Sequence, residues 1–190
     1  MKDVLKGELV QLGAVDMDEL SKVIVRWERD SEFMRLLDAE AVRLFSRKSM
    51  QKLLEKDMDE ENVSRYWFTI CSLADNQLLG DITLHVNSWL GRDAFIGIGI
   101  GEREFWGKGY GTDAMKLILQ YAFTEINLER VSLTVFEYNP RAIRSYEKAG
   151  FSREGRMRKF LNKDGKRWDM FMMGILREEW MEQNGSQNKN

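Results

Sequence analysis

The chain has very few of the residues that bind metals or cross-link a fold. Its 190 residues include one cysteine, Cys71, one histidine, His85, and one proline, Pro140. A single cysteine excludes an internal disulfide, and one histidine with one cysteine cannot form a zinc site of the usual kind. We therefore expect no metal and no disulfide framework.

The sequence also lacks a charge bias and a long apolar run. The net charge of −2 at pH 7 gives no bulk field that would attract nucleic acid or a membrane surface. No segment is apolar enough to span a bilayer, and the first residues have no signal-peptide core. These absences favour a cytoplasmic protein that binds neither nucleic acid nor membranes. The 43% of apolar residues can bury one sizeable core.

Hydrophobic periodicity predicts an α/β chain in which strands outnumber helices. The predicted strands are Leu5 to Leu12, Tyr66 to Leu73, Leu78 to Val86, Ala94 to Ile100, Val131 to Phe136, Phe151 to Leu161 and Trp168 to Ile175. The predicted helices are one capped by Asp16, a second from Ala39 to Asp57, one that ends at Asn127, and a short one from Pro140 to Ala149. We expect a single domain over Leu5 to Leu176 and a polar, frayed tail over residues 177–190, with Trp180 as the one tail residue able to dock on the domain.

A glycine-rich segment in the middle of the chain predicts a phosphate site. The segment Trp106-Gly107-Lys108-Gly109-Tyr110-Gly111-Thr112 lies between a strand pattern and a helix pattern. Glycine lets the backbone turn sharply and approach a ligand, and the N–H groups at a helix start attract anions. We expect this loop to hold a phosphorylated cofactor.

The strand before this loop has glycine at every second residue. Gly97, Gly99 and Gly101 share one face, and isoleucines occupy the other. Glycine within a strand costs about 0.5–1 kcal/mol against alanine, so the alternation indicates a close approach by something else. A ligand is the favoured explanation, and a bulky neighbour such as Trp106 is the alternative.

Two nucleotide-binding motifs match the loop poorly. A Walker A loop needs four residues between its first glycine and Gly-Lys, followed by Ser or Thr, whereas five residues separate Gly101 from Gly107 here. A dinucleotide fingerprint fits loosely over Gly109 to Ala114, with Glu137 as a ribose ligand. The predicted closing hairpin leaves no second half for a doubly wound sheet, so this alternative is weak.

Two segments together resemble the GNAT superfamily of acyl-CoA-dependent N-acyltransferases. Trp106 to Gly111 is similar to the family's pyrophosphate loop, Gln/Arg-x-x-Gly-x-Gly/Ala, and Asn139 to Phe151 is similar to its Asn-x-x-Ala-x-x-x-Tyr-x-x-x-Gly-Phe segment. The resemblance is nearest to the ribosomal-protein N-terminal and spermidine acetyltransferases. It implies one domain with a mixed, mostly antiparallel sheet of about seven strands and helices on both faces.

The resemblance also implies a cosubstrate and roles for individual residues. Acetyl-CoA is the implied cosubstrate, with no metal, and Tyr146 matches the tyrosine that protonates the leaving thiolate. Asn139 matches a cofactor contact, although it is equally suited to cap a helix. The implied cofactor-binding residues are Ile98, Gly99, Ile100, Trp106, Gly107, Lys108, Gly109, Tyr110, Gly111, Thr112, Asn139 and Tyr146.

The sequence departs from the family pattern at two places. Trp106 stands where Gln or Arg is usual, so we expect the pyrophosphate to depend on backbone donors. Phe95 and glycines occupy the strand on which many relatives carry a glutamate base, so the base must come from elsewhere. The candidates are Asp38 and Glu40 before the predicted second helix, Asp81 and His85 on the third strand, and Asp169 on the last strand.

The function implied by the resemblance is direct transfer of an acetyl group to a primary amine, without an acyl-enzyme. A peptide N-terminus, a polyamine and an aminoglycoside all remain open as acceptors. The alternative is a non-catalytic acyl-CoA-binding regulator, since the usual strand glutamate is missing. We expect a monomer or a homodimer.

Overall fold

One seven-stranded sheet organises the molecule in the computed structural model, which describes residues 3–57 and 64–185. The strands are β1 Val10–Gly13, β2 Arg65–Ser72, β3 Leu78–Ser88, β4 Asp93–Ile100, β5 Arg130–Phe136, β6 Ser152–Lys163 and β7 Lys166–Leu176. The helices of this part of the chain are α1 Met17–Trp27, α2 Ser31–Leu37, α3 Arg47–Asp57, α4 Tyr110–Thr124, α5 Pro140–Ala149 and α6 Arg177–Gly185. None of these helices combines the length and apolarity needed to cross a membrane.

The strand order β1-β2-β3-β4-β5-β7-β6 is antiparallel throughout except between β4 and β5. These two parallel strands pair only from Asp93 with Arg130 to Phe95 with Ser132. β4 remains paired with β3 as far as Ile100. Because β5 turns away after Ser132, the sheet splits, and no strand of the described residues pairs with this edge of β4 beyond Phe95.

Helices cover both faces of the sheet, as the family resemblance implies. The isoleucine face of β4 belongs to the main core, together with α4 side chains such as Met115 and Ile118. On the other face, α1 and α3 enclose a second cluster around Leu20, Met50 and Leu54. The predicted mixed and mostly antiparallel α/β fold is confirmed.

The sequence signals for turns and helix caps predicted the structure correctly where a side chain hydrogen-bonds to the backbone or a residue sets the backbone conformation. Asp16 caps α1 by accepting hydrogen bonds from two backbone N–H groups. Asn139 caps α5, Pro140 is its first residue, and Gly150 ends it with φ 106°. Asp164 and Gly165 both have positive φ and form the turn between β6 and β7, as the Asp-Gly signal predicts.

Two predicted elements are wrong in their extent. The segment Leu5 to Leu12 is not one strand: the Gly7 N–H donates to the Val10 carbonyl at 2.8 Å, and the chain folds back on itself. The helix predicted from Ala39 to Asp57 starts only at Arg47. A shorter helix, α2, precedes it and ends at Leu37, with Asp38 as its C-cap.

The residues after Leu176 do not fray as predicted, at least as far as Gly185. They form α6, and the Trp180 ring lies 5.5 Å from the Phe123 ring at the edge of the main core. Partial burial of the Trp180 side chain against the main core stabilises this helix, although the segment is polar and has no helical periodicity.

Candidate active site

A cavity of about 380 Å³ lies where β4 and β5 separate. β4 lines it from Phe95 to Ile100, and β5 lines it through Thr134, Val135 and Phe136. The remaining walls come from α2, from the loop before α4, from α5 and from β7. The side chains and glycines that form these walls are Phe33, Leu36, Leu37, Phe105, Trp106, Gly107, Gly109, Gly111, Thr112, Asn139, Arg141, Ala142, Arg144, Ser145, Tyr146, Lys148 and Met170.

The loop before α4 has the backbone geometry of an anion site. Gly107 and Gly109 have φ values of 74° and 98°, which L side chains rarely adopt. Gly109 is the N-cap of α4 and offers no side chain to the first N–H groups of the helix. Those N–H groups lack intrahelical partners, and the helix dipole makes this end positive. The predicted residues Lys108 and Tyr110 do not line the cavity, whereas Gly111 and Thr112 do.

The alternating glycines of β4 meet different neighbours. A side chain at Gly101 would overlap the Trp27 ring, and one at Gly99 would contact Phe33 and Leu37 at about 3.5 Å. Nothing lies within 4 Å of the Cβ position of Gly97, which opens into the cavity. The bulky neighbour proposed from sequence, Trp106, is therefore the wrong one. Helices α1 and α2 use two of the three glycines for packing.

The Trp106 side chain instead lies beside the glycine-rich loop before α4. Its Nε1–H donates to the carbonyl of Ile100 at 2.6 Å, which holds the ring beside the end of β4. The hydroxyls of Thr112 on α4 and Ser145 on α5 lie 2.8 Å apart. These two hydrogen bonds keep the wall of the cavity fixed around the start of α4.

Tyr146 lines the cavity from α5, in the position predicted for the proton donor. Burial raises the pKa of Tyr146 to about 12, so the phenol is protonated at neutral pH. Among the residues that the structure describes, no hydrogen bond engages its hydroxyl. Asn139 also lines the cavity, and its Oδ1 accepts from the Ala142 N–H at 3.1 Å as the cap of α5.

Asp81 is the best placed of the predicted bases. It lies on β3 directly opposite Gly99, on the glycine face of the sheet. Its carboxylate accepts a hydrogen bond from Trp67 Nε1–H at 2.9 Å. Burial raises the pKa of Asp81 to about 6, and the Trp67 hydrogen bond and the positive charge of Arg65 offset this effect only in part. A carboxylate with this pKa is ionised at pH 7 and is a stronger base than an ordinary aspartate.

None of the predicted bases is itself part of the cavity wall, and Asp81 is next to it only through its strand partner Gly99. His85 is exposed on β3 opposite Phe95, at the end of the sheet farther from the loop. Asp38 and Glu40 are not helix N-terminal acids, because α2 ends at Leu37 and the Asp38 carboxylate accepts the Glu40 N–H. Asp169 accepts from the Lys159 N–H and from Arg156, and these interactions lower its pKa.

The dinucleotide alternative is contradicted by the topology. Glu137, its proposed ribose ligand, accepts a hydrogen bond from the Asp169 N–H at 3.1 Å and so holds β7 instead. The single parallel pair of strands cannot form a doubly wound sheet.

Sequence reasoning missed much of the cavity wall, including a basic residue at the start of α5, Arg141. Its guanidinium lies 3.8 Å from the centre of the Trp106 ring. Arg144 and Lys148 follow on the same face of α5 and also line the cavity. The sequence signal that could have found them is their spacing of three and seven residues, which places the three side chains on one face of a helix.

The geometry fits a long, thin ligand with an anionic end. The unpaired edge of β4 offers N–H and C=O groups to an extended amide-bearing arm. The same cavity continues to the positive start of α4, where a pyrophosphate would lie. An acyl-CoA has these two parts in this order, so the residues present suit this group.

A mixed sheet that opens between two parallel strands beside a glycine-rich helix start defines an acetyltransferase-type domain. The chain belongs to the GNAT acetyltransferase family: the family model described as "Acetyltransferase (GNAT) domain" matches residues 9–152. The predicted family is therefore confirmed.

Individual relatives agree with this assignment. The chain is 35% identical over 127 residues to a probable N-acetyltransferase, YjcK, of Bacillus subtilis (strain 168), covering 66% of both chains. It is 36% identical over 108 residues to a putative ribosomal N-acetyltransferase, YdaF, of the same organism, covering 57% of this chain and 58% of that one. These matches span less than two thirds of the length of the relatives.

The fold is also found in a solved structure. Spermidine N-acetyltransferase from Vibrio cholerae, in complex with CoA and spermine, superposes with a TM-score of 0.78 at 24% identity, covering 90% of this chain and 98% of that one. At this identity the likeness shows the shared fold.

Proposed function

We propose that the protein transfers an acetyl group from acetyl-CoA to a primary amine. The observation that carries this proposal is the gap between β4 and β5, which joins an unpaired strand edge to the glycine-rich start of α4. Membership of the GNAT family supports it, as do relatives named N-acetyltransferases.

The cosubstrate would lie along the cavity with its arm on β4. Backbone groups from Gly97 to Ile100 would bind the pantetheine amides, and the N–H groups from Gly107 to Thr112 would bind the pyrophosphate. Asn139 would contact the arm through its amide nitrogen, because its Oδ1 already caps α5. Acetyl-CoA supplies the acetyl group as a thioester.

In the reaction, one residue of the chain would accept a proton and another would donate one. The amine nitrogen forms a bond to the thioester carbonyl carbon, and a backbone N–H of β4 donates to the developing oxyanion. Asp81 accepts the proton that the amine loses, directly or through water. As the carbon–sulfur bond breaks, Tyr146 donates its proton to the departing sulfur. The products are an N-acetyl amine and CoA.

The acceptor would enter from the α2 side of the cavity. Phe33, Leu36 and Leu37 of α2 line that side, so the body of the amine would pass apolar side chains. One similar fold is that of a spermidine acetyltransferase, and one relative carries the name of a ribosomal acetyltransferase. A peptide N-terminus and a small polyamine or aminoglycoside are therefore the acceptor classes to compare.

Acetyl-CoA-dependent thiol release tests the proposal. The panel should contain peptides with different N-terminal residues, polyamines and aminoglycosides, and mass spectrometry should identify the products. Gain of one acetyl group by one acceptor class, with one thiol released per product, would support the proposal. Measurable CoA binding without acetylation of any amine would favour the non-catalytic regulator.

A further inference from the structure

Arg141 is held in the cavity wall by an aromatic platform. It is half-buried near the start of α5, and its guanidinium carbon lies 3.8 Å from the centre of the Trp106 ring. The hydrogen bond from Trp106 to Ile100 fixes that ring. A guanidinium stacked on an aromatic face keeps the N–H donors in its plane free for other partners.

No carboxylate in the part of the chain that the structure describes forms an ion pair with Arg141. Across residues 3–57 and 64–185, no ion pair or hydrogen bond engages its guanidinium. Burial lowers the pKa of Arg141, and the more distant charges of Glu32 and Arg103 act on it in opposite directions. Arg103 also lies near the Trp106 ring, at 5.2 Å, but Asp30 and Glu32 bind it. Of these two arginines beside one ring, Arg103 is paired with carboxylates and Arg141 is left facing the cavity.

Burying an unpaired cation is costly unless a partner arrives. The cavity that Arg141 lines also contains the start of α4, where an anion is stabilised by the helix dipole. Arg144 and Lys148 add two further positive charges along the same wall. An anionic ligand in the cavity would pair with the half-buried Arg141 and with the start of α4, whereas Arg144 and Lys148 are exposed to solvent.

We propose that Arg141, stacked on Trp106, binds a phosphate group of the CoA cosubstrate and so sets its affinity and register in the cavity. The planar fork of arginine matches a phosphate through two parallel hydrogen bonds. The phosphate is either one of the pyrophosphate or the 3′-phosphate of the ribose. This inference rests on the proposed function only in that the ligand is CoA.

Calorimetric binding of CoA to variants of the full chain tests the proposal. Arg141→Ala should raise the dissociation constant about tenfold or more, because a charge-assisted hydrogen bond to phosphate is lost. Arg141→Lys, which keeps the charge without the planar fork, should lie between this variant and the wild type. Lys116→Ala removes the same charge from an exposed position of α4 and should bind CoA as the wild type does.

Truncated ligands identify the phosphate and separate binding from a structural effect. A pyrophosphate contact predicts the same loss for CoA and dephospho-CoA, and a 3′-phosphate contact predicts a loss for CoA only. Either result supports the proposal when pantetheine, which has neither group, shows no loss. In turnover, the KM for acetyl-CoA should rise while kcat stays nearly constant.

Two results would overturn the role of Arg141. One is an unchanged dissociation constant for CoA in both Arg141 variants, and the other is an equal loss of affinity for pantetheine. If the wild-type protein binds no CoA, that result alone contradicts the proposed function, whatever the Arg141 variants do.

Discussion

At the residue scale, the proposed chemistry depends on two ionisable side chains whose pKa values are raised by burial. Tyr146 is kept in its protonated form with a pKa of about 12, and Asp81 has a pKa of about 6. At pH 7 one can give a proton and the other can accept one, as the acid and the base of an acyl transfer must.

Replacement of Tyr146 by phenylalanine tests the proton donor. Tyr146→Phe removes only the hydroxyl and keeps the ring that packs near Phe151. We expect kcat to fall about 10²-fold, the lower range for loss of a general acid, with CoA affinity unchanged. Steady-state kinetics and calorimetry measure the two quantities, and an unchanged kcat would remove Tyr146 from the mechanism.

Replacement of Asp81 by asparagine tests the base through pH. The wild-type kcat/KM should fall as the pH drops through about 6, the pKa of Asp81 in the folded protein. Asp81→Asn should lose most of the activity and also this limb of the pH profile. If kcat/KM of the Asp81→Asn variant still fell near pH 6, a group other than Asp81 would be the base.

The same substitution has a predicted effect on stability. The pKa of Asp81 is higher in the folded protein, about 6, than its ordinary value of 3.8. The cost of ionising it in the folded state is therefore absent below about pH 4, grows as the pH rises through about 6, and is fully present above that. Urea unfolding should thus show Asp81→Asn gaining stability over the wild type between these pH values. Loss of activity could then not be attributed to unfolding.

At the element scale, β4 serves packing and ligand binding with the same glycine pattern. Gly101, which directly follows its last residue, lies beneath Trp27 of α1, whereas Gly97 in its middle faces open space. The strand is therefore packed tightly against a helix near the loop and is open where the pantetheine arm would lie.

Alanine substitutions at Gly97 and Gly101 should show which glycine is needed for packing and which leaves space for a ligand. Gly101→Ala should lower the free energy of unfolding by about 1–3 kcal/mol or more, since the added methyl overlaps the Trp27 ring. Gly97→Ala should leave stability equal or raise it by about 0.5–1 kcal/mol, because alanine suits a strand better than glycine. Urea midpoints measure both. Equal destabilisation by the two substitutions would contradict the assigned packing.

At the scale of the whole molecule, the sequence predicted most of the sheet and missed what tertiary contacts decide. β4, α4, β5 and α5 follow from periodicity and caps, because Asn139, Pro140 and Gly150 act on their own backbone. The fold-back near Gly7 was missed because the N–H groups of Leu9 and Val10 donate to Asp113, a residue about a hundred positions away.

In the candidate site, too, some residues could be predicted from local sequence and others depend on tertiary contacts. The glycine loop and Tyr146 are readable as motifs, since their spacing along the chain is fixed by local geometry. The choice of Asp81 over His85, Asp38, Glu40 and Asp169 needed the strand register and burial. Arg141 was missed because its partner, Trp106, lies on a different element.

Hydrogen exchange in the presence of CoA tests the central claim most directly. If the gap between β4 and β5 holds the cosubstrate, backbone amides in two segments should become protected, those of residues 97–100 and those of residues 107–112. The β6–β7 turn at Asp164 and Gly165 should exchange as before, because it lies outside the proposed cofactor site. Protection elsewhere, with these two segments unchanged at saturating CoA, would contradict the account.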